Sequence, residues 1–182
     1  LAIKYARENK IPFFGICLGM QLALIEYARN ILGIKNANST EFEPNCTPII
    51  ALLEEWQQNE KLQKRHRESQ VGGSMRLGAY SCLLRKDSMA SEIYNQAIEI
   101  SERHRHRYEF NGNYKKQFEE AGLVFSGASK KDDLVEIIEL PQHPFFIATQ
   151  FHPEFKSRPT NAHPLFVAFV KAVMHYHHNN TL

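Results

Sequence analysis

The segment FFGICLGMQ, residues 13–21, constrains the fold more than any other part of the chain. A short run of aromatic and branched residues meets Gly15, a cysteine stands at position 17, and Gly19 follows just as a helical pattern begins. That order reads as a buried strand, a sharp corner and a helix in immediate succession. The helix is expected over Leu18 to Leu32, with Leu18, Leu22, Ile25 and Leu32 on one side and Gly33 as its stop. A strand that turns straight into a helix is a step of an α/β sheet wrapped by helices.

The flanking sequence supplies more of the same. Leu1 to Asn9 carries apolar residues at helical spacing, and IPFFGI is a buried strand with Pro12 at its start. After the polar loop KNANSTEFEPN comes TPIIALLEEW, which fits strand and helix equally. Gln57 to Gly73 is strongly charged and poor in apolar residues, the composition of a mobile surface excursion. SMRLGAYSCLLR resumes as a strand in which Met75, Leu77 and Ala79 alternate. Short helices are expected over Ser88 to Tyr94 and Tyr114 to Ala121. Three strands follow in LVFSGA, LVEIIEL and FFIATQF, and a last helix over about Ala162 to His175.

Composition narrows the setting. A chain of 182 residues suffices for one domain with a proper core. No stretch is long or uncharged enough to cross a membrane, and Leu1 to Glu8 reads as an amphipathic helix, not a secretory leader. The absence of an initiator Met suggests a piece of a longer protein. Cys17, Cys46 and Cys82 are odd in number and far apart, which argues against a disulfide framework and fits a reducing, cytoplasmic compartment. A net charge of +2 does not by itself imply a nucleic-acid partner.

G-I-C-L-G has the spacing of the nucleophile elbow G-x-S-x-G. A nucleophile at such a corner sits in a strained backbone conformation, so the residues two away, Gly15 and Gly19, must lack a bulky Cβ. The turn lifts the sulfur to a helix N-terminus, where the dipole favours thiolate over thiol, and frees the Leu18 N–H to hold an oxyanion. A cysteine between glycines is equally a small packing residue, and only further chemistry separates the two. ATQFHPEF, residues 148–155, supplies it: His152 can serve as base, and Glu154 two residues on can orient its ring, with Pro153 stiffening the geometry. Alone, that segment is also a common surface turn.

GICLGMQ together with QFHPEF resembles the class I (triad) glutamine amidotransferases. ANSTEF, GGSMRLGAY and ERHRHRYEFN, with YARENKIPFFGICLGMQLALIEYARN, are similar to the glutaminase domains of the CTP synthases, in order along nearly the whole chain. The resemblance implies the flavodoxin-like α/β fold of that class, a mostly parallel sheet flanked by helices. It implies Cys17 as nucleophile, His152 and Glu154 as its partners, and Leu18 N–H as an oxyanion donor. Leu18, Gly19, Met20 and Gln21 would line the glutamine pocket. Glu41 would receive the α-ammonium of L-glutamine and Arg107 its α-carboxylate, a task suited to the guanidinium fork. Without the resemblance Glu41 is an ordinary loop carboxylate, and RHRHR a solvated basic edge. A glycine-rich loop upstream of Leu1, with a second oxyanion donor, and a synthetase domain are expected beyond this sequence.

Gly73, Ser74, Met75, Arg76, Leu77 and Gly78 suggest a lid with glycine hinges around a cation, a segment the resemblance associates with activation by GTP. Ser74 stands where threonine is usual. The alternative is a loop before a strand. No metal or cofactor is expected in this domain. The full-length enzyme would use ATP, UTP, Mg2+ and GTP, pass ammonia through a tunnel to its synthetase domain, and form a homotetramer. His175, His177 and His178 read as solvated residues of a terminal helix, and Cys46 and Cys82 as structural. A γ-glutamyl hydrolase or cysteine peptidase on the same fold, and a non-catalytic regulatory domain, remain as alternatives. Paired charges at Glu41 and Arg107 would argue against a peptide substrate.

Overall fold

The computed structural model describes residues 1–52 and 75–180. Helix α1 (Ala2–Glu8) precedes strand β1 (Phe13–Ile16), which runs directly into helix α2 (Leu18–Asn30). Arg7 ties the two helices together through Glu26, with Nε 3.0 Å from Oε2 and Nη2 2.8 Å from Oε1. Strands β2 (Ala37–Ser39) and β3 (Thr47–Leu52) follow, so the first half of TPIIALLEEW is a strand. The remainder of that segment, and the surface excursion expected over 57–73, lie outside the described residues.

SMRLGAYSCLLR forms β4 (Arg76–Leu84), and the short helix α3 (Met89–Ile93) comes next. Ser88 caps that helix through Ser91 N–H at 3.1 Å, and the Glu139 carboxylate accepts the N–H groups of Met89 and Ala90, each at 3.1 Å. Then come β5 (Glu99–His106), β6 (Tyr108–Phe110) and helix α4 (Lys115–Glu120). Strands β7 (Val124–Ser129), β8 (Val135–Glu139) and β9 (Phe146–Thr149) occupy the three late apolar runs, and α5 (Pro164–Asn180) closes the described chain. Proline at the first position of α5 costs no hydrogen bond, since that N–H has no partner inside a helix.

The main sheet has six strands in the order β1-β9-β8-β7-β4-β5, and a small sheet has the order β2-β3-β6. Both faces of β8 and β9 are buried, as expected of strands covered on two sides. Ile138 and Ala148 point into one core with Met20, Leu24, Ile50, Phe110 and Phe118; Ile137 and Ile147 point into the other with Phe151 and Leu165. The fold is α/β, but the expectation of a mostly parallel sheet is corrected. Within the main sheet only β1 and β9 run parallel; every other neighbouring pair is antiparallel. Strands β7, β8 and β9 succeed one another through short turns, and a short turn can only return the chain antiparallel.

Strands β5 and β6 occupy the segment that reads as a basic cluster. In β5 the burial alternates: Glu102, His104 and His106 face inward, while Arg103 and Arg105 face outward. The inward face is polar, so its period of two carries no apolar signal. Among the described residues no helix is long and apolar enough to cross a membrane.

Candidate active site

The parallel pair of the main sheet, β1 and β9, positions the chemistry. Strands β1 and β9 run in register from Phe13 opposite Phe146 to Ile16 opposite Thr149. Their ladder ends where the Cys17 N–H donates to the Thr149 carbonyl at 2.7 Å. The residues that succeed the two strands therefore leave the same edge side by side: Cys17 from β1, Gln150 to His152 from β9. Cys17 sits at φ 51° and ψ −102°, a conformation L-residues avoid, at the N-cap of α2.

Gly15 permits this corner. A Cβ there would lie 2.9 Å from the Ala148 Cβ and 2.9 Å from the Gly19 carbonyl carbon. Gly19 is different, since a Cβ at that position would meet nothing within 4 Å. The expectation that both glycines are needed for room is corrected: β9 crowds the first, and the second opens outward from the first turn of α2.

His152 is held by three contacts. Its N–H donates to the Arg103 carbonyl at 2.8 Å, its Nδ1–H to Glu154 Oε1 at 2.6 Å, and its ring stacks on Phe155 with centroids 5.0 Å apart. A carboxylate only accepts, so the proton of the neutral ring stays on Nδ1. Nε2 is left buried, with no hydrogen-bond partner among the described residues.

Cys17 does not rest as a thiolate-favouring site. Burial pushes its thiol up; hydrogen bonds from the Leu18 N–H and the Gln150 amide pull it down, and Glu154 and, once ionised, Glu109 push it up again. The net direction is upward: burial and the two carboxyl groups outweigh the hydrogen bonds from Leu18 and Gln150, which favours the thiol at rest.

The expected glutamine contacts divide. Leu18 is 45 % exposed and Gly19 half-buried, whereas Met20 is 0 % exposed and packs into the core. Gln21 is 4 % exposed, and its Nε2 donates to the Tyr108 carbonyl at 3.0 Å and to Gln150 Oε1 at 3.2 Å. Its amide is engaged by the protein itself. Glu41 and Arg107 are both exposed. Glu41 comes just after β2, whose Ser39 lies opposite Ile50, and Arg107 precedes β6, whose Tyr108 lies opposite Leu52. The two opposite charges thus leave the same end of the small sheet, the end bound to α2 through Gln21 and Tyr108.

Of the expected lid, Gly73 and Ser74 lie outside the described residues, and Met75 immediately precedes β4. Arg76, Leu77 and Gly78 are strand residues paired with His106, Arg105 and His104. The reading of Arg76 as a cation between flexible hinges is corrected. Its Nη2 lies 2.7 Å from Glu136 Oε1 and its Nη1 3.4 Å from Glu109 Oε1, with the guanidinium 4.6 Å over the Tyr80 ring. Two buried carboxylates facing inward from other strands hold it there.

Around Arg76 lies a polar cluster that the sequence does not announce. His106 Nδ1 donates to the Tyr108 carbonyl at 3.2 Å, so its Nε2 accepts from His104 Nδ1 at 2.9 Å. His104 Nε2 in turn faces Glu136 Oε2 at 3.5 Å. Burial raises Glu109 to about 8 and Glu136 to about 7, despite the single cation they share. Burial and the Arg76 charge lower His104 to about 2 and His106 to about 3. Both rings are therefore neutral near pH 7.

Among the described residues no group of three or more His, Cys, Asp and Glu side chains is placed to hold a metal ion. On α5, His178 Nδ1 donates to the Met174 carbonyl at 2.9 Å. Cys46 and Cys82 are free thiols, and Cys82 is buried, its thiol pushed upward by desolvation.

The family described as glutamine amidotransferase class-I matches residues 1–172. The chain is 55 % identical over 176 residues to the CTP synthase of Desulfotalea psychrophila, covering 95 % of this chain and 32 % of that protein. It is also 55 % identical over 175 residues to the CTP synthase of Neorickettsia sennetsu, covering 94 % of this chain and 32 % of that one. The chain thus spans about a third of the length of these relatives. Among solved structures, the glutaminase domain of Trypanosoma brucei CTPS with bound acivicin superposes with a TM-score of 0.83 at 36 % identity, covering 95 % of this chain and 64 % of that one.

Proposed function

The chain belongs to the class-I glutamine amidotransferase family, and on that premise we propose that it hydrolyses the side-chain amide of L-glutamine at Cys17 to supply ammonia. One observation carries the reading. The parallel β1/β9 pair delivers a strained cysteine and a carboxylate-oriented histidine, its Nε2 buried and unpartnered among the described residues, from adjacent strand ends.

The groups in place define the steps. His152 Nε2 takes the Cys17 proton, which the resting thiol retains. The sulfur attacks the amide carbon of glutamine, and the Leu18 N–H turns from the sulfur to the oxyanion. The carbon–nitrogen bond breaks as His152 returns the proton to the departing ammonia. Water, deprotonated by His152, then attacks the γ-glutamyl thioester. The carbon–sulfur bond breaks, glutamate leaves, and the thiol is regenerated. Glu154 keeps the ring in one tautomer throughout.

Glu41 and Arg107, opposite charges at one end of the small sheet, suit the α-ammonium and α-carboxylate of a free amino acid better than a peptide. The likeness to CTP synthases supports the larger role. In it the ammonia passes to a synthetase domain of the same protein and replaces the O4 of UTP, activated by ATP with Mg2+, to give CTP. GTP activation and a homotetramer belong to that reading of the whole protein.

The test is covalent labelling with a glutamine-mimicking diazoketone, with the modified peptide mapped by mass spectrometry. Cys17 should be labelled selectively, with protection by glutamine. Labelling that glutamine does not compete away would overturn the substrate assignment.

A further inference from the structure

We infer that Gln150 is a further catalytic residue, an amide donor that stabilises the Cys17 thiolate as it forms and is itself aimed by Gln21. The inference rests on the reading of Cys17 as the nucleophile. Gln150 is the first residue after β9 and is 0 % exposed; its backbone N–H donates to the Glu136 carbonyl at 2.8 Å, so its position is fixed at the main chain. Its Nε2 lies 3.6 Å from the Cys17 sulfur, within the range of an N–H···S hydrogen bond.

The direction of this amide is determined by a chain of groups that allow no alternative. The Tyr108 carbonyl can only accept, so the side of Gln21 that faces it is the NH2, 3.0 Å away. The second proton of that NH2 points to Gln150 Oε1 at 3.2 Å. With its oxygen taken by Gln21, Gln150 must present its own NH2 to the sulfur. A reversed amide would set oxygen against the sulfur and NH2 against NH2.

The sulfur needs such a donor. It is half-buried, and the acidic groups that face it, Glu154 from the segment after β9 and Glu109 from β6, oppose a thiolate whenever they are ionised. Among the described residues, the Leu18 N–H and the Gln150 amide oppose them with hydrogen bonds. In the proposed reaction the Leu18 N–H moves to the oxyanion, which leaves Gln150 as the donor on sulfur. The same bond acts again when the thioester collapses and sulfur departs as thiolate. The QFHPEF segment contains this residue two positions before His152, yet its partner Gln21 stands at the far end of the chain, so local spacing cannot reveal the pair.

The test is the pH dependence of Cys17 alkylation by iodoacetamide, in which a carbon–sulfur bond forms and iodide leaves. It is followed at the Cys17 peptide, with Cys46 as an internal reference. In Gln150→Leu the midpoint at Cys17 should rise by about half to one pH unit, the size of one lost hydrogen bond. At neutral pH that is a roughly threefold to tenfold slower reaction, since each unit is tenfold in thiolate. Gln21→Leu should move it in the same direction by less. The midpoint at Cys46 should not change. An unaltered Cys17 midpoint in folded Gln150→Leu overturns the inference; if that variant unfolds, Gln150→Met, closer in length, decides in the same way. Iodoacetamide needs no glutamine pocket, so a shifted midpoint without diazoketone labelling would remove the substrate reading and leave this bond standing.

Discussion

The Cys17 N–H meets the Thr149 carbonyl at 2.7 Å, and this last rung of a two-strand parallel ladder connects the two halves of the candidate site. One strand end delivers the sulfur and the other delivers Gln150, His152 and Glu154, so their spacing is set by backbone register and not by side-chain reach. Gly15 lets the strands approach, and the Arg103 carbonyl on β5 holds His152 from the other side. The corner is strained at Cys17, and α2 and β9 packed against it keep it so.

The two glycines of the elbow should respond differently to a methyl group. Gly15→Ala drives a Cβ to 2.9 Å from both Ala148 and the Gly19 backbone, and should destabilise the fold by about 1–3 kcal/mol. Gly19→Ala meets open space in a helix and should leave stability unchanged or raise it by up to about 1 kcal/mol. Urea unfolding of both variants checks this, and equal losses would contradict the asymmetry.

Glu154 acts on glutamine only through the His152 ring, so its removal should appear in turnover and not in binding. In Glu154→Gln an amide NH2 can rotate toward Nδ1 and favour the wrong tautomer. Glutamate release should fall about tenfold to a hundredfold in kcat with KM nearly constant, whereas His152→Ala should lose about a hundredfold to ten-thousandfold. A rise in KM as the main effect of Glu154→Gln would place that carboxylate on the substrate instead.

Glu41 and Arg107 carry the opposite expectation. Each would make a charged hydrogen bond to a part of glutamine that does not react, so Glu41→Gln and Arg107→Ala should raise KM about tenfold to a hundredfold with smaller changes in kcat. Steady-state glutaminase kinetics of both variants decide it. An unchanged KM in both would remove the free-amino-acid pocket.

Local patterns make much of this legible. The elbow, the His-Pro-Glu segment, the three late strands and α2 each declare themselves within a few residues. The features that stay hidden depend on groups distant in sequence. Strand direction is a property of connections, so the antiparallel course of β7 to β9 is not written in their apolar runs. Strand β5 is disguised because Glu102, His104 and His106 are its inward face, and buried polar residues mimic an exposed strip. Arg76 reads as a loose cation because Glu136, which holds it, arrives on β8.

That buried cluster sets an expectation for stability against pH. Glu109 and Glu136, raised to about 8 and about 7, keep protons in the folded state that the unfolded chain releases above 4.5. Their contribution is present below pH 4.5 and is lost as pH rises toward 8. His104 and His106, lowered to about 2 and about 3, refuse protons that the unfolded chain binds below 6.5, so their contribution fades as pH falls below that value. Between pH 4.5 and 6.5 two carboxyls and two imidazoles impose opposite slopes that cancel. The groups facing this cluster are Arg76, His152 and Asp132. Stability should therefore form a plateau between about pH 4.5 and 6.5, declining on both sides, with the alkaline loss complete near 8. Glu136→Gln lowers the whole curve by removing the partner of Arg76, but its alkaline limb should be shallower, because one of the two titrating carboxyls is gone. Thermal unfolding from about pH 4 to 9 on both proteins tests this. A melting temperature that climbs from about pH 6.5 to 8, or an alkaline limb equally steep in the variant, would show that these carboxyls are ionised in the folded protein.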